Sequence, residues 1–277
     1  MGREKEMSST ENVISMNKDY KKALTSLLFQ LADDDFLYSF RGSEWLGLAP
    51  HIEEDVASSS ISQDSMGHAA MYYKLLEDLG IGTADDLAHS RSANERRNSI
   101  LTERVNGEGI YMETPKYDWA YAVVRNYFYT QAKKVKVDAL CSSSYQPLAD
   151  VALKVKMELY FHRLHWETWF KQLLASTDVA RQKMNDAINL VMEDFGDMFS
   201  YGAEKDLIEK ESLLAPEEVL KKNWLSSIEP VFTKLQLPVP TIPVPTKNGR
   251  EGEHTKDLDE ALRTLSEVYR IDTLAVW

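Results

Sequence analysis

The sequence predicts an all-α protein, a four-helix bundle followed by extra C-terminal helices and a proline-rich extended segment. Long stretches repeat apolar residues at three- and four-residue steps, the period of a helix with one buried face. Only 12 glycines and 9 prolines occur in 277 residues, too few for a turn-rich β fold. With 43% hydrophobic residues, a chain of this length can bury a substantial core.

Residues 1–16 are polar and aperiodic and are expected to be a disordered extension, leaving 17–277 as one helical domain. From Asn17 the first helix carries Tyr20, Leu24, Leu27, Leu28, Leu31, Phe36, Phe40 and Leu46. It should stop at Ala49-Pro50, because a residue before proline avoids the α region. The second runs from about Ile52 to Leu79 and ends at Gly80, a C-cap residue. Residues 81–115 read as a long connection with short helices. The third helix spans about Tyr117 to Cys141 and the fourth about Pro147 to Leu174. A fifth follows Asp178 to about Phe199, and a sixth starts near Pro216 and ends near Leu235. Within a Pro/Gly-rich connection over 237–253, Pro238 to Pro245 cannot be helical and should run extended. In the final segment, 254–277, Thr255 is a candidate N-cap for a helix with Leu258, Leu262, Leu265 and Tyr269 on one face.

The net charge of −12 leaves no basic excess to engage nucleic acid or an anionic membrane surface. The single cysteine, Cys141, excludes an internal disulfide and a Cys-rich metal site, and suits a reducing cytoplasm. Met1 to Met16 has no apolar signal-like core, and no apolar run reaches the roughly 20 residues that span a bilayer.

His68 and His162 carry the chemical signal. In a four-helix di-iron bundle, two helices supply Glu-x-x-His, because i and i+3 share a face, and two others supply single carboxylates. Here the second helix reads Asp64-Ser65-Met66-Gly67-His68 and the fourth Glu158-Leu159-Tyr160-Phe161-His162. Ser65 and Leu159 stand at the glutamate positions. Glu44 is the first-helix carboxylate candidate, and the third-helix phase puts Thr130 where another would be expected. Two histidines and one glutamate of six positions are therefore kept, too few to charge-balance two irons. A mononuclear site built from Glu44, His68 and His162 is an alternative, as is a structural role for each: core histidines, and Glu44 paired with Arg41. Glu158 is one residue out of phase with the missing ligand, and His165 could add only weakly to a site. Lys133, Lys134 and Lys136 read either as a solvated basic strip or as the source of a lysine filling the vacated cavity beside Glu44 or Asp64. A vacated site would leave Glu44 in need of a donor, from Arg41, His68, His162 or a third-helix lysine.

Several local patterns together resemble one ferritin-like family, the C subunits (PaaC) of phenylacetyl-CoA epoxidase. They are Arg41-x-x-Glu44-Trp45-x-Gly47-x-Ala49-Pro50 with Glu54-Asp55, Ile61-x-x-Asp64-x-x-Gly67, Arg125-x-Tyr127-Phe128, Lys156-x-Glu158-x-x-x-His162 and Gln182-Lys183-Met184. Gly249-x-x-Gly252-x-His254-Thr255-x-x-Leu258 completes the set, so the resemblance covers nearly the whole chain from about residue 17. It implies a non-catalytic subunit, without a cofactor of its own, of a bacterial multicomponent monooxygenase that epoxidises the ring of phenylacetyl-CoA. The implied partners are a catalytic A subunit holding the di-iron centre, a reductase and a small B subunit; a homodimer is open for the isolated chain. In the catalytic paralogue the second-helix motif resembles Asp-Glu-x-Gly-His, against Asp64-Ser65-Met66-Gly67-His68 here. Two other functions stay open: an iron-dependent oxygenase active alone, and a free-standing acyl-CoA-binding ferritin-like protein. An extended Pro238–Pro245 arm could lie across a neighbouring protein or pack back on its own bundle.

Overall fold

A computed structural model describes residues 16–273; the expected disordered extension, apart from Met16, and the last four residues lie outside the described residues. Asn17 accepts a hydrogen bond from the Asp19 N–H and opens α1, Lys18–Ser43. The helix ends six residues before the predicted stop. Trp45 turns inward and donates to Asn106 Oδ1 at 2.9 Å, and Gly47 takes a φ of +79°, so residues 44–51 coil as turns. Helix α2, Ile52–Asp78, ends as predicted: Gly80 adopts a φ of +72° and the Ile81 N–H returns to the Leu76 carbonyl at 3.1 Å.

The connection holds α3 (Ala84–His89), α4 (Ile100–Glu103) and a two-residue antiparallel pair, β1 (Gly107–Glu108) with β2 (Lys116–Tyr117). Asp118 caps α5, Trp119–Leu140, by accepting from the N–H groups of Ala120 and Tyr121. Pro147 in the first turn starts α6, Gln146–Ala175. Thr177 caps α7, which covers Asp178–Glu193. It too is shorter than predicted. Gly196 lies directly beneath the proline arm, and a Cβ there would meet Pro245 backbone at 2.8 Å. Helices α8 (Lys205–Lys210), α9 (Glu217–Lys234) and α10 (Lys256–Leu265) complete the chain, the last capped by Thr255 as expected.

Helix α1 packs along α2 and α5 along α6, while α2 against α6 closes the ferritin-like bundle. Helices α7 and α9 add a layer on α5. Between them, Phe128, Phe170, Phe195, Trp224 and Phe232 form an aromatic core. The arm packs back on its own bundle: Val239 and Ile242 lie against the core, while Val244 is exposed. Leu258 and Leu262 bury as the last helix's stripe requires, and Leu265 packs against the core from a partly buried position. Tyr269 lies beyond the helix and stacks on His89, ring centroids 5.4 Å apart. Among the described residues, no helix is long and apolar enough to cross a membrane.

Candidate functional site

Helix α1 carries three consecutive aspartates in its middle, and all three are buried. Successive residues on a helix point about 100° apart, so each enters a different environment. Asp33 receives Arg91 and Arg96, the Tyr73 hydroxyl at 2.6 Å and the Arg97 N–H at 2.8 Å. Burial works to raise its carboxyl, but the two arginines outweigh it and hold the group down at about 2. Asp34 accepts both terminal nitrogens of Arg250, at 2.9 and 2.8 Å, and the Ser99 N–H at 2.7 Å. Lys136 stands 3.4 Å away. Against the burial cost, Arg250 and Lys136 keep that carboxyl below the usual range.

Asp35 reaches the bundle centre. Its Oδ1 accepts from the Tyr129 hydroxyl and from Lys133 Nζ, each at 2.7 Å. Lys133 Nζ also lies 2.7 Å from His68 Nδ1, and His68 Nε2 lies 2.6 Å from Glu158 Oε2. An ammonium has only protons to give, so Nδ1 accepts and the neutral ring carries its proton on Nε2, donating to Glu158. Burial, then Lys133 and His162, push the His68 imidazolium far below its ordinary range, in keeping with that tautomer. Burial drives Asp35 up and Lys133 down, each opposed by the attraction of the other.

The seam between α2 and α6 repeats one motif three times. His68 of α2 meets Glu158 of α6; His162 of α6 meets Asp64 of α2 at 2.8 Å; His165 of α6 lies 3.1 Å from Glu54 of α2. In each pair one helix supplies the imidazole and the other the carboxylate. Burial depresses His162 and His165 as it does His68, with Asp64 and Glu54 opposing. The rings of His68 and His162 face each other with centroids 6.2 Å apart.

The six predicted positions divide. His68 and His162 come together as the motif spacing implies. Ser65 is fully buried and turns its hydroxyl back to the Ile61 carbonyl at 2.8 Å, while Leu159 is buried apolar surface. Thr130 is buried beside the Tyr38 phenol, one turn before Lys133. Glu44 does not join the histidines. It caps α1 nine residues beyond Asp35, about 13 Å along the axis at the helical rise. There it accepts from Arg41 Nη1 at 2.9 Å and Asn106 Nδ2 at 2.8 Å. The first-helix carboxylate at the level of the histidines is Asp35. The mononuclear Glu44–His68–His162 arrangement is therefore not assembled. The lysine in the centre is Lys133, paired with Asp35 and not with Glu44 or Asp64.

Sequence reasoning missed the aspartate triplet and Arg91, Arg96 and Arg250. The available signal was Asp33-Asp34-Asp35 set between Leu31 and Phe36 in a buried helix. Beside Asp34, Asp35, Lys133 and Lys136 the free space is about 10 Å³, on the order of one water molecule. Among the described residues, no group of three or more His, Cys, Asp or Glu side chains is placed to hold a metal ion.

Paired long helices cross-linked by histidine–carboxylate contacts define an all-α, ferritin-like bundle. The chain belongs to the phenylacetic acid catabolic protein family, whose model matches residues 7–277. It is 26% identical over 249 residues to the C subunit of 1,2-phenylacetyl-CoA epoxidase from Escherichia coli (strain K12), covering 90% of this chain and 96% of that protein. It is also 25% identical over 170 residues to the A subunit of the same E. coli epoxidase, covering 61% of this chain and 52% of that protein.

Proposed function

We propose that this chain is the non-catalytic C-type subunit of a phenylacetyl-CoA epoxidase, supporting a separate di-iron subunit in phenylacetate catabolism. The observation that carries the reading is Lys133. Its ammonium lies between Asp35 and His68, two groups that a metal centre on this scaffold would recruit. A fixed cation supplies the positive charge an ion would otherwise bring, and it repels one. Ser65 and Leu159 stand in place of the glutamates, so these residues do not fit a di-iron centre. His68 and His162 spend their Nε2 atoms on Glu158 and Asp64, tying two helices together. Similarity along nearly the whole of the E. coli C subunit favours the C-type role over the A-type one.

The chain's task is then mechanical: to present a rigid helical surface that holds the catalytic subunit in its working shape. Two measurements test this. Aerobic iron loading followed by elemental analysis should find no stoichiometric iron, and two irons per chain would overturn the reading. Co-expression with an A-type chain, with the reductase and the small subunit supplied, should give ring epoxidation of phenylacetyl-CoA that is lost when this chain is omitted. Undiminished activity without it would sink the structural role.

A further inference from the structure

Helix α6 is apolar on two opposite sides. Ala152, Val155, Leu159, Trp166 and Phe170 face the core and are buried. On the other side Leu153, Met157, Tyr160, Phe161 and Leu164 are 49–68% exposed. A helix apolar on both faces is ordinarily buried on both, and here the bundle covers one. The exposed set steps by four, three and four residues from Leu153 through Met157 and Tyr160 to Leu164, the seam of a helix that packs against another helix. Ile52 and Val56 of α2, 71% and 63% exposed, add apolar surface from the end of α2 that meets the C-terminal half of α6.

Charge marks one flank of this seam. Glu158 and Asp64 are about half-exposed, and each has only a neutral imidazole as its hydrogen-bond partner. Burial and the neighbouring Asp64 raise the Glu158 carboxyl, so the pair would gain from a cation. A second copy of this chain would bring the same two carboxylates, and a net charge of −12, to the contact. A basic flank on a different chain answers them.

We propose that the exposed α2–α6 face is the docking surface for a helix of the A-type partner, with Leu153, Met157, Tyr160 and Leu164 in its heptad seam, Phe161 beside it, and Lys or Arg of that helix on Glu158 and Asp64. This deepens the C-type reading and rests on it. It also gives the histidine seam an outward role. Glu158 is the exposed end of the hydrogen-bonded chain Glu158–His68–Lys133–Asp35, so a cation docked there is linked directly to the bundle centre.

The test uses the full chain and a co-expressed A-type chain, with affinity measured by sedimentation or calorimetry at several salt concentrations. Met157→Asp with Phe161→Asp alters only exposed side chains and should raise Kd at least 100-fold with an unchanged thermal midpoint. Val179→Asp, an equally exposed apolar site on α7, should leave Kd within twofold. Glu158→Gln should weaken binding several-fold and flatten its salt dependence. If the wild-type pair binds and the Met157/Phe161 variant binds as tightly, the docking inference fails while the C-type reading stands. If the wild-type chains do not bind, both fail. If the variant only converts a dimer of this chain to a monomer, the occupant is a second copy and the inference is overturned.

Discussion

Lys133 Nζ stands 2.7 Å from both Asp35 Oδ1 and His68 Nδ1, so a single ammonium ties α5 to the first two helices of the bundle. Removing it while keeping the aspartate leaves a buried charge without its ion partner. Lys133→Met is expected to lower stability by about 3–5 kcal/mol, the usual effect of breaking one side of a buried pair. Adding Asp35→Leu should restore much of the loss, because the two effects are coupled. Urea unfolding of the two single variants and the double gives the coupling energy directly. Purely additive losses would show that the pair does not act as a unit.

Arg250 provides a second, independent case. It is fully buried and grips Asp34 with two nitrogens, a geometry lysine cannot reproduce. Arg250→Lys should therefore destabilise, and Arg250→Met should do so by about 3–5 kcal/mol. Limited proteolysis should then cut more readily around residues 237–253, since Arg250 anchors that segment. Protease resistance equal to wild type would show that other contacts hold it.

Acid should weaken the fold earlier than its carboxylates alone would suggest. His68, His89, His162 and His165 all have protonation depressed, chiefly by burial. In the unfolded chain they bind protons near pH 6.5. Between that value and their lower folded values the unfolded state holds more protons, so stability rises with pH and falls as pH drops below about 6.5. Asp35, Glu44 and Glu158 are raised, so the folded state gains their protons first and offsets part of the loss at lower pH. Urea midpoints at pH 7.5, 6.5 and 5.5 should decline in that order. A flat profile would contradict the buried neutral imidazoles.

Gly196 offers a steric test of the arm. The extended segment passes so close that any Cβ would lie 2.8 Å from Pro245 backbone. Gly196→Ala should cost about 1–3 kcal/mol, the range of overpacking, through displacement of the arm. An unchanged thermal midpoint would mean that the arm shifts freely.

Much of this architecture is legible in local sequence. Gly80, through its left-handed backbone, and Thr255, through its side-chain cap, punctuate helices locally, and the spacing around His68 and His162 already places both on inward faces. The two helices that end earlier than predicted have a common cause. The ends of α1 and α7 are set by Asn106 and by the Pro243–Pro245 backbone, partners distant in sequence that no periodicity announces. Glu44 satisfies the motif by residue type, and of the two readings the sequence offers for it the structure adopts the pairing with Arg41, three residues away. On the third helix Thr130 and Lys133 share a face, and only the tertiary level of Asp35 brings Lys133 to His68. The aspartate triplet stays hidden because its counter-charges come from three separate segments, at Arg91 and Arg96, at Lys133 and Lys136, and at Arg250.

The Arg250–Asp34 bridge also sets an order on assembly. Asp34 is made early, but the guanidinium that neutralises it arrives 216 residues later. Domains generally begin folding from the N-terminal side during synthesis. Until residues 249–251 arrive, the paired α1 and α2 hold that carboxylate with only Lys136 and the Ser99 N–H as partners. A product that stops short of Arg250 keeps a buried carboxylate without its bidentate partner, a costly arrangement. Arrival of Arg250 is in this way registered inside the bundle itself.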